Sequence, residues 1–261
     1  MTQKTYEFIR TETSGRVLTV TINRPESFNS LHPAANREMG DIFDDFAADD
    51  DLWVAIVTGA GEKAFSAGND LKWTAENQGK LEIPPRGFGG LTNRYDLFKP
   101  VIAAVNGVAL GGGFEIALAC DIILAAPNAR FGLPEPKVGL AALAGGMHRL
   151  PRQIGLKNAM GMMLTGRHVD AAEAFRLGIA QEVTEAGKLM ERAMAWAEEI
   201  AACAPLSIRA TKQVAMQSLG HPLEEAAGRD YPAVRALFKS EDFVEGPLAF
   251  AQKREPNWKG R

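Results

Sequence analysis

The stretch VIAAVNGVALGGGFEIALACDIILAA, residues 101–126, decides the fold. VIAAV (101–105) is a short, uninterrupted apolar run, which reads as a buried strand. The glycine triplet Gly111–Gly113 then opens a helix that runs to about Cys120, and DIILAA (121–126) reads as the next strand. Strand, helix and strand in so short a span point to an α/β sheet. Glu115 is the odd residue: a carboxylate one step behind the glycines in a run otherwise suited to burial.

The alternation extends in both directions. RVLTVTI (16–22) alternates with β-branched residues as a strand does, and LWVAIVT (52–58) reads as a second buried strand. Between them, PAANREMGDIFDDFAA (33–48) places Met39, Ile42, Phe43 and Phe46 on one side of an amphipathic helix. GAGEKAFSAGND (59–70) and QGKLEIPPRGFGG (78–90) read as loops, LKWTAENQ (71–78) as a helix start, and NRYDLFK (93–99) as a helix ending before Pro100. Farther on, 153–165 and 171–177 read as helices and GIAQEVT (178–184) as a strand. Helices are predicted over 187–202, over 205–218, and over 223–255 with a break near Pro247. Strands alternate with helices to about residue 184 and helices alone follow, so the expected architecture is an α/β core with a helical C-terminal part.

Composition sets limits. The 261 residues are 46% hydrophobic and 23% charged, enough for a sizeable core and too few charges for wholesale disorder. The net charge is −3 with no basic block, which argues against nucleic acid as a partner. MTQKTYEFIRTETSG (1–15) lacks the apolar centre of a signal peptide, and no long apolar run is free of charge. Cys120 and Cys203 stand far apart in apolar company, which reads as buried, reduced thiols and a cytoplasmic protein without membrane association. His32, His148, His168 and His221 show no ligand spacing, so no metal site is expected.

The glycine triplet is not a phosphate loop: Phe114–Glu115 stands where Lys-Ser/Thr would have to follow, and a dinucleotide fingerprint fails at Ile116. Two readings remain. The glycines permit a tight turn and close packing, or they bare the first N–H groups of a helix, at the positive end of its dipole, for an anionic oxygen. Glu115, one turn past Gly112, would then face the same cleft, although a glutamate in such a helix also simply snorkels or pairs with an arginine. FGLPEPKVG (131–139) offers a second carboxylate, Glu135, held stiffly between prolines, and KAFSAGNDL (63–71) a second small-residue loop behind a strand.

Taken in order, TINRPESFNSL (21–31), IVTGAGEKAFSAGNDLK (56–72), KPVIAAVNGVALGGGFEIALACDI (99–122), ARFGLPEPKVGL (129–140), GGMHRLPRQIG (145–155), LTGRHVDAAEAFRLGIAQEV (164–183) and SEDFVEGPLAFAQKREPNWKGR (240–261) resemble the enoyl-CoA hydratase/isomerase (crotonase) superfamily over essentially the whole chain. The resemblance implies an α/β spiral of β-β-α units (1–200) carrying the coenzyme A site and the catalytic cleft. It implies a helical region (201–261) that assembles a homotrimer or a hexamer of two trimers. It implies an oxyanion hole made of the backbone amides of Asn69 and Gly112. Hydratases of this family keep glutamate at both catalytic positions. The resemblance makes Glu115 the group that orients and activates water and Glu135 the group that exchanges the proton at C2. Keeping both favours lyase chemistry on a 2-enoyl-CoA over double-bond isomerisation. Coenzyme A enters as part of the substrate, with no catalytic cofactor.

By the same resemblance Arg24, Ala67 and Asp70 line the nucleotide site, and Phe250 and Lys253 reach it from the C-terminal helix, often across a subunit boundary. Glu26 departs from the pattern, since many hydratases carry lysine there; Arg24 could compensate or be an ordinary edge arginine. The GGLT stretch (89–92) and the C-terminal sequence look most like carnitinyl-CoA dehydratases, but those tend to have tryptophan at Asn69 and an acid at Leu143. Leu143 and Trp73 are expected at the acyl end, where Leu143 suggests an apolar acyl group and hence a general hydratase. An RNA-binding relative would need lysines on the early helix, where ANREMGDIFDDFAADDD presents acids. A non-catalytic acyl-CoA binder would have no need of both glutamates.

Overall fold

Strands β1 (Ile9–Ser14), β2 (Val17–Ile22), β3 (Val54–Gly59), β4 (Ala64–Ser66), β5 (Val101–Val105), β6 (Val108–Leu110), β7 (Ile122–Ala125), β8 (Arg130–Gly132), β9 (His168–Asp170) and β10 (Glu182–Val183) build two sheets in a computed structural model that describes residues 5–80, 82 and 84–261. The first four residues of the N-terminal stretch, and Leu81 and Ile83 of the 78–90 loop, lie outside the described residues. The helices are α1 (Pro33–Ala48), α2 (Leu71–Glu76), α3 (Gly112–Ala119), α4 (Gly146–Ile154), α5 (Leu156–Thr165), α6 (Ala171–Leu177), α7 (Leu189–Ala201), α8 (Pro205–Ser218), α9 (Leu223–Gly228), α10 (Pro232–Phe238) and α11 (Asp242–Gln252).

The larger sheet runs β1-β2-β3-β5-β7-β10 and the smaller one β4-β6-β8-β9. The pairs β3/β4, β5/β6 and β7/β8 each send their first strand to the larger sheet and their second to the smaller. Successive turns stack in parallel within both sheets. This is the α/β spiral that the resemblance implied. The antiparallel pairs sit at the two ends, β1 on β2 and β8 on β9.

Both faces of the larger sheet are covered, so β3 and β5 are buried along their whole length and read as continuous apolar runs. One face meets α7, where Val54, Ile56, Ile102 and Leu124 pack with Leu189, Ala193 and Ala197. The other face joins the main core, which includes Met39, Phe43 and Phe46 of α1 together with Phe65, Phe114 and Phe131. Helix α1 forms where the sequence predicts it: His32 Nδ1 accepts from Ala35 N–H, Pro33 supplies the first helical φ, and the apolar residues recur on one face. Burial of Phe43 and Phe46, each under 2% exposed, stabilises this contact by about 1.5–3 kcal/mol per ring.

Several expectations are corrected. The 59–70 loop contains β4, and β6, β8 and β9 were equally invisible because three residues show barely one alternation. Edge strand β1 also went unread: only Ile9 of IRTETS is buried. Residues 93–99 are turns rather than a helix. Their cations bind elsewhere: Arg94 reaches Asp44 and the Gly40 and Gly90 carbonyls, and Lys99 caps the end of α1 at Phe46 O. In the tail, Pro247 lies inside α11 without breaking it, and the breaks fall before Pro232 and at Ser240, whose Oγ accepts from Phe243 N–H. Cys203 is exposed rather than buried, on the turn behind α7. The C-terminal helices are anchored by Lys212, which donates to Lys99 O and Asp121, and by Trp258, which donates to Ala202 O.

Candidate active site

The site forms where the glycine triplet of one spiral turn meets the AFSAGND loop of the previous one. Gly111 precedes α3 with φ +53° and ψ −128°, a conformation that a side chain would strain, and its N–H donates to Gly132 O of β8. Gly112 is the first residue of α3, so its N–H has no intrahelical acceptor. Gly68, at φ +87°, lies so close that a Cβ on it would stand 2.7 Å from Gly112 N. Leu31 N–H donates to Gly68 O and Asp70 N–H to Leu31 O, a parallel bridge that leaves the Asn69 N–H turned to the opposite edge. The Asn69 side chain is engaged locally, with Nδ2 donating to Thr74 Oγ1.

The glycine at 112 fits the first of the two readings the sequence left open, close packing. A Cβ there would lie 2.6 Å from Phe88 Cε1, so its position is filled by a ring of the protein rather than kept open for a ligand. Phe88 is fixed in turn by its N–H donating to Thr92 Oγ1 and by Gly89 N–H donating to Asn36 Oδ1.

Both glutamates reach this place and both are buried, Glu115 at 3% and Glu135 at 8% exposure. Glu115 Oε1 accepts from Gly146 N–H at 2.8 Å, at the first residue of α4. Burial pushes its carboxyl up to about 7, helped by the nearby Glu135 charge and opposed by the backbone donors of Gly146 and Ala144 and by Arg149. Glu135 opens a short 3-10 turn (Glu135–Val138) and presents its Oε1 to Gly111, 3.2 Å from where a Cβ would be. Burial raises its pKa as well, and its Oε2 has no hydrogen-bond partner among the described residues. Two carboxyls whose protonated forms burial favours, beside two undirected amides, can take and give protons around a bound carbonyl.

One cavity adjoins the carboxyls through Glu135, and a second lies at Arg24. One, of about 380 Å³, runs from Glu135 between Leu133, Leu140, Met147, Met160 and Met163. The other, of about 620 Å³, is lined by Arg24, Glu26, Phe28, Asp70, Lys72 and Trp73. Arg24 spans 2.9 Å to Asp70, which also caps α2 by accepting from Trp73 N–H. Burial disfavours the ionised Asp70, but the Trp73 amide and the Arg24 guanidinium outweigh it and hold the carboxyl below its ordinary value. Ala67 adjoins this cavity, its N–H donating to Phe28 O.

Two placements differ from the sequence expectation, and a third concerns residues expected to act across a subunit boundary. Trp73 lines the Arg24 cavity instead of the apolar one, in the first turn of α2, which Asp70 caps. Leu143 is 68% exposed on the loop before α4, while its neighbour Ala142 is buried and lines the apolar cavity. Phe250 is 88% exposed on α11 and Lys253 ends that helix in a left-handed conformation; within the chain neither lines the Arg24 cavity. Sequence reasoning weighed Phe88 as an aromatic face or simple packing, and it missed Gly146 and the methionines of α4 and α5, which carried no signal apart from a glycine pair, Gly145–Gly146. Among the described residues no cluster of His, Cys, Asp and Glu could hold a metal ion, and no helix is long and apolar enough to cross a membrane.

This chain belongs to the enoyl-CoA hydratase/isomerase family, whose model matches residues 12–261. It is 46% identical over 256 residues to the carnitinyl-CoA dehydratases of Escherichia coli K12 and Shigella flexneri, spanning 95% of this chain and 97% of each of theirs. The crystal structure of an enoyl-CoA hydratase from Mycobacterium marinum superposes with a TM-score of 0.91 at 41% identity, covering 97% of this chain and 99% of that one. One from Mycobacterium tuberculosis H37Rv gives 0.91 at 40% identity with the same coverage.

Proposed function

We propose that the protein is a lyase that adds water reversibly across the 2,3 double bond of a 2-enoyl-CoA, giving a 3-hydroxyacyl-CoA. The observation that carries this reading is the pair of buried carboxyls, Glu115 and Glu135, on either side of the glycine triplet. The thioester oxygen accepts from the Asn69 and Gly112 amides, which draws electrons from C3 toward the oxygen. Glu115, ionised and oriented by the Gly146 amide, takes a proton from water as the water oxygen bonds to C3. Glu135, in the protonated form that its burial favours, gives its proton to C2 as the enolate collapses. One water is consumed, and a proton returned from Glu115 to Glu135 restores the starting state.

Coenzyme A is part of the substrate, its nucleotide end lying in the Arg24 cavity beside Ala67 and Asp70, and no catalytic cofactor is needed. The apolar cavity beyond Glu135 takes the acyl group, and its methionine and leucine lining suits an uncharged chain. A second reading, dehydration of carnitinyl-CoA, is favoured by the names of the 46% identical relatives. We assign residues 1–200 to the catalytic core and 201–261 to assembly of a homotrimer or hexamer. Exposed Leu219, Leu223, Val244 and Phe250 support that assignment, since such a surface wants a partner, and a neighbouring copy would carry Phe250 and Lys253 to the nucleotide end. The free thiols fit a cytoplasmic enzyme.

The test is loss of the conjugated enoyl-thioester absorbance with crotonyl-CoA and, separately, crotonobetainyl-CoA. Turnover of crotonyl-CoA supports the general hydratase, turnover of crotonobetainyl-CoA alone selects the second reading, and inertness toward both refutes the function.

A further inference from the structure

Arg149 of α4 touches every part that holds the two halves of the site together. Its Nη2 donates to Thr92 O at 2.8 Å. Thr92 is buried, and its Oγ1 accepts from Phe88 N–H, so this contact reaches the ring that packs on Gly112. Its Nη1 lies directly against Gly145, where no Cβ could be placed without meeting it. Gly145, at φ +102°, immediately precedes Gly146, whose N–H holds Glu115 Oε1. The guanidinium is also stacked over Tyr95, its Cζ 5.7 Å from the ring centroid.

We propose that Arg149 is a positioning residue of the active site, whose guanidinium ties the Gly145–Gly146 turn to the Phe88–Thr92 loop and keeps Glu115 aimed at the attacking water. The inference rests on the hydration reading for what Glu115 does, but not for the geometry. One cation thereby joins the amide at Gly112, through Phe88, to the carboxylate at Glu115, through Gly146.

The charges around Glu115 make the role measurable. Helix α4 brings Arg149, the 3-10 turn at 135–138 brings Glu135, and the 88–92 loop and β4 bring no ionisable group. Arg149 is the cation that opposes burial and the Glu135 charge, alongside the stronger Gly146 amide. Removing its charge makes Glu115 harder to ionise, and the pH at which Glu115 gives up its proton rises.

The experiment compares R149M, R149Q and R149K with the wild type in two readouts over pH 5–9: kcat with crotonyl-CoA, and the thermal unfolding midpoint without substrate at fixed protein concentration. Ionisation of buried Glu115 weakens the fold, so the midpoint reports its titration without reference to activity. R149M and R149Q are expected to move both the rising limb of kcat and the fall of the midpoint to higher pH, and R149K to return them toward the wild-type position. If R149M fails to fold, R149Q against R149K decides. An unmoved midpoint transition in the neutral variants overturns the proposal, and so does a shift in R149M that is absent from R149Q. If the midpoint transitions shift while the wild type consumes no enoyl-CoA, the hydration reading fails and the role of Arg149 stands.

Discussion

Replacing Glu115 by glutamine should cost activity and add stability, and the stability gain should grow with pH. The carboxyl is raised from 4.5 to about 7, with burial the largest cause. At ~1.36 kcal/mol per pH unit, that difference amounts to about 3 kcal/mol of native-state destabilisation once the group is ionised in both states. The sign follows from proton binding. Between pH 4.5 and about 7 the native protein holds a proton that the unfolded chain has released, so native stability falls through that window and the full penalty stands above it. Glutamine never ionises, and its Oε1 still accepts from Gly146 N–H. At 3% exposure, solvent screening does little to reduce the effect. E115Q should therefore match the wild type near pH 4 and exceed it at pH 8 by up to about 3 kcal/mol. Denaturant unfolding at both pH values and one protein concentration measures this, since assembly would otherwise shift the midpoint. The hydration rate should fall about 10²–10⁴-fold in the same protein. A stability difference that does not change with pH, or a variant less stable than the wild type at pH 8, would refute the buried, strained carboxylate.

Two other substitutions probe the rest of the site. Gly112→Ala drives a methyl into the Phe88 ring, 2.6 Å away, and should destabilise the fold by about 1–3 kcal/mol and cut kcat by about 10²-fold as the donor amide moves; unchanged kcat would remove that amide from the oxyanion hole. Glu26→Lys replaces an exposed acid at the nucleotide cavity, where Arg24 is already paired with Asp70, and should lower KM for an enoyl-CoA about 2–5-fold while leaving that for the matching pantetheine thioester unchanged; equal effects on both would place the phosphates elsewhere.

The acceptors and donors of catalysis were legible as residue types before they were legible as a site. The strand-glycine-helix run at 101–126 carried its own evidence, because an apolar run of strand length and a glycine-started helix are local properties of the chain. Helices α1, α6, α7 and α8 were likewise readable from local composition and periodicity. The smaller sheet was not: β4, β6 and β8 are three residues long, and each exists because the spiral stacks it on a neighbouring turn. The same stacking brings Gly68 against Gly112, a contact that no spacing along the chain announces.

The amino-acid sequence by itself determined the class of architecture, the family and the two carboxylates, since these depend on local pattern and on motifs that survive without coordinates. Tertiary structure alone decided which groups hold those carboxylates and what lies beside them. Gly146 on Glu115, Phe88 over Gly112 and Arg149 between Gly145 and Thr92 join residues that are distant along the chain. It also placed Trp73 in the Arg24 cavity and left Leu143 exposed, because the direction of a side chain is set by the element that carries it and by what packs against it. The raised carboxyl of Glu115 belongs to the same category: desolvation is a property of the surrounding fold, not of the residue.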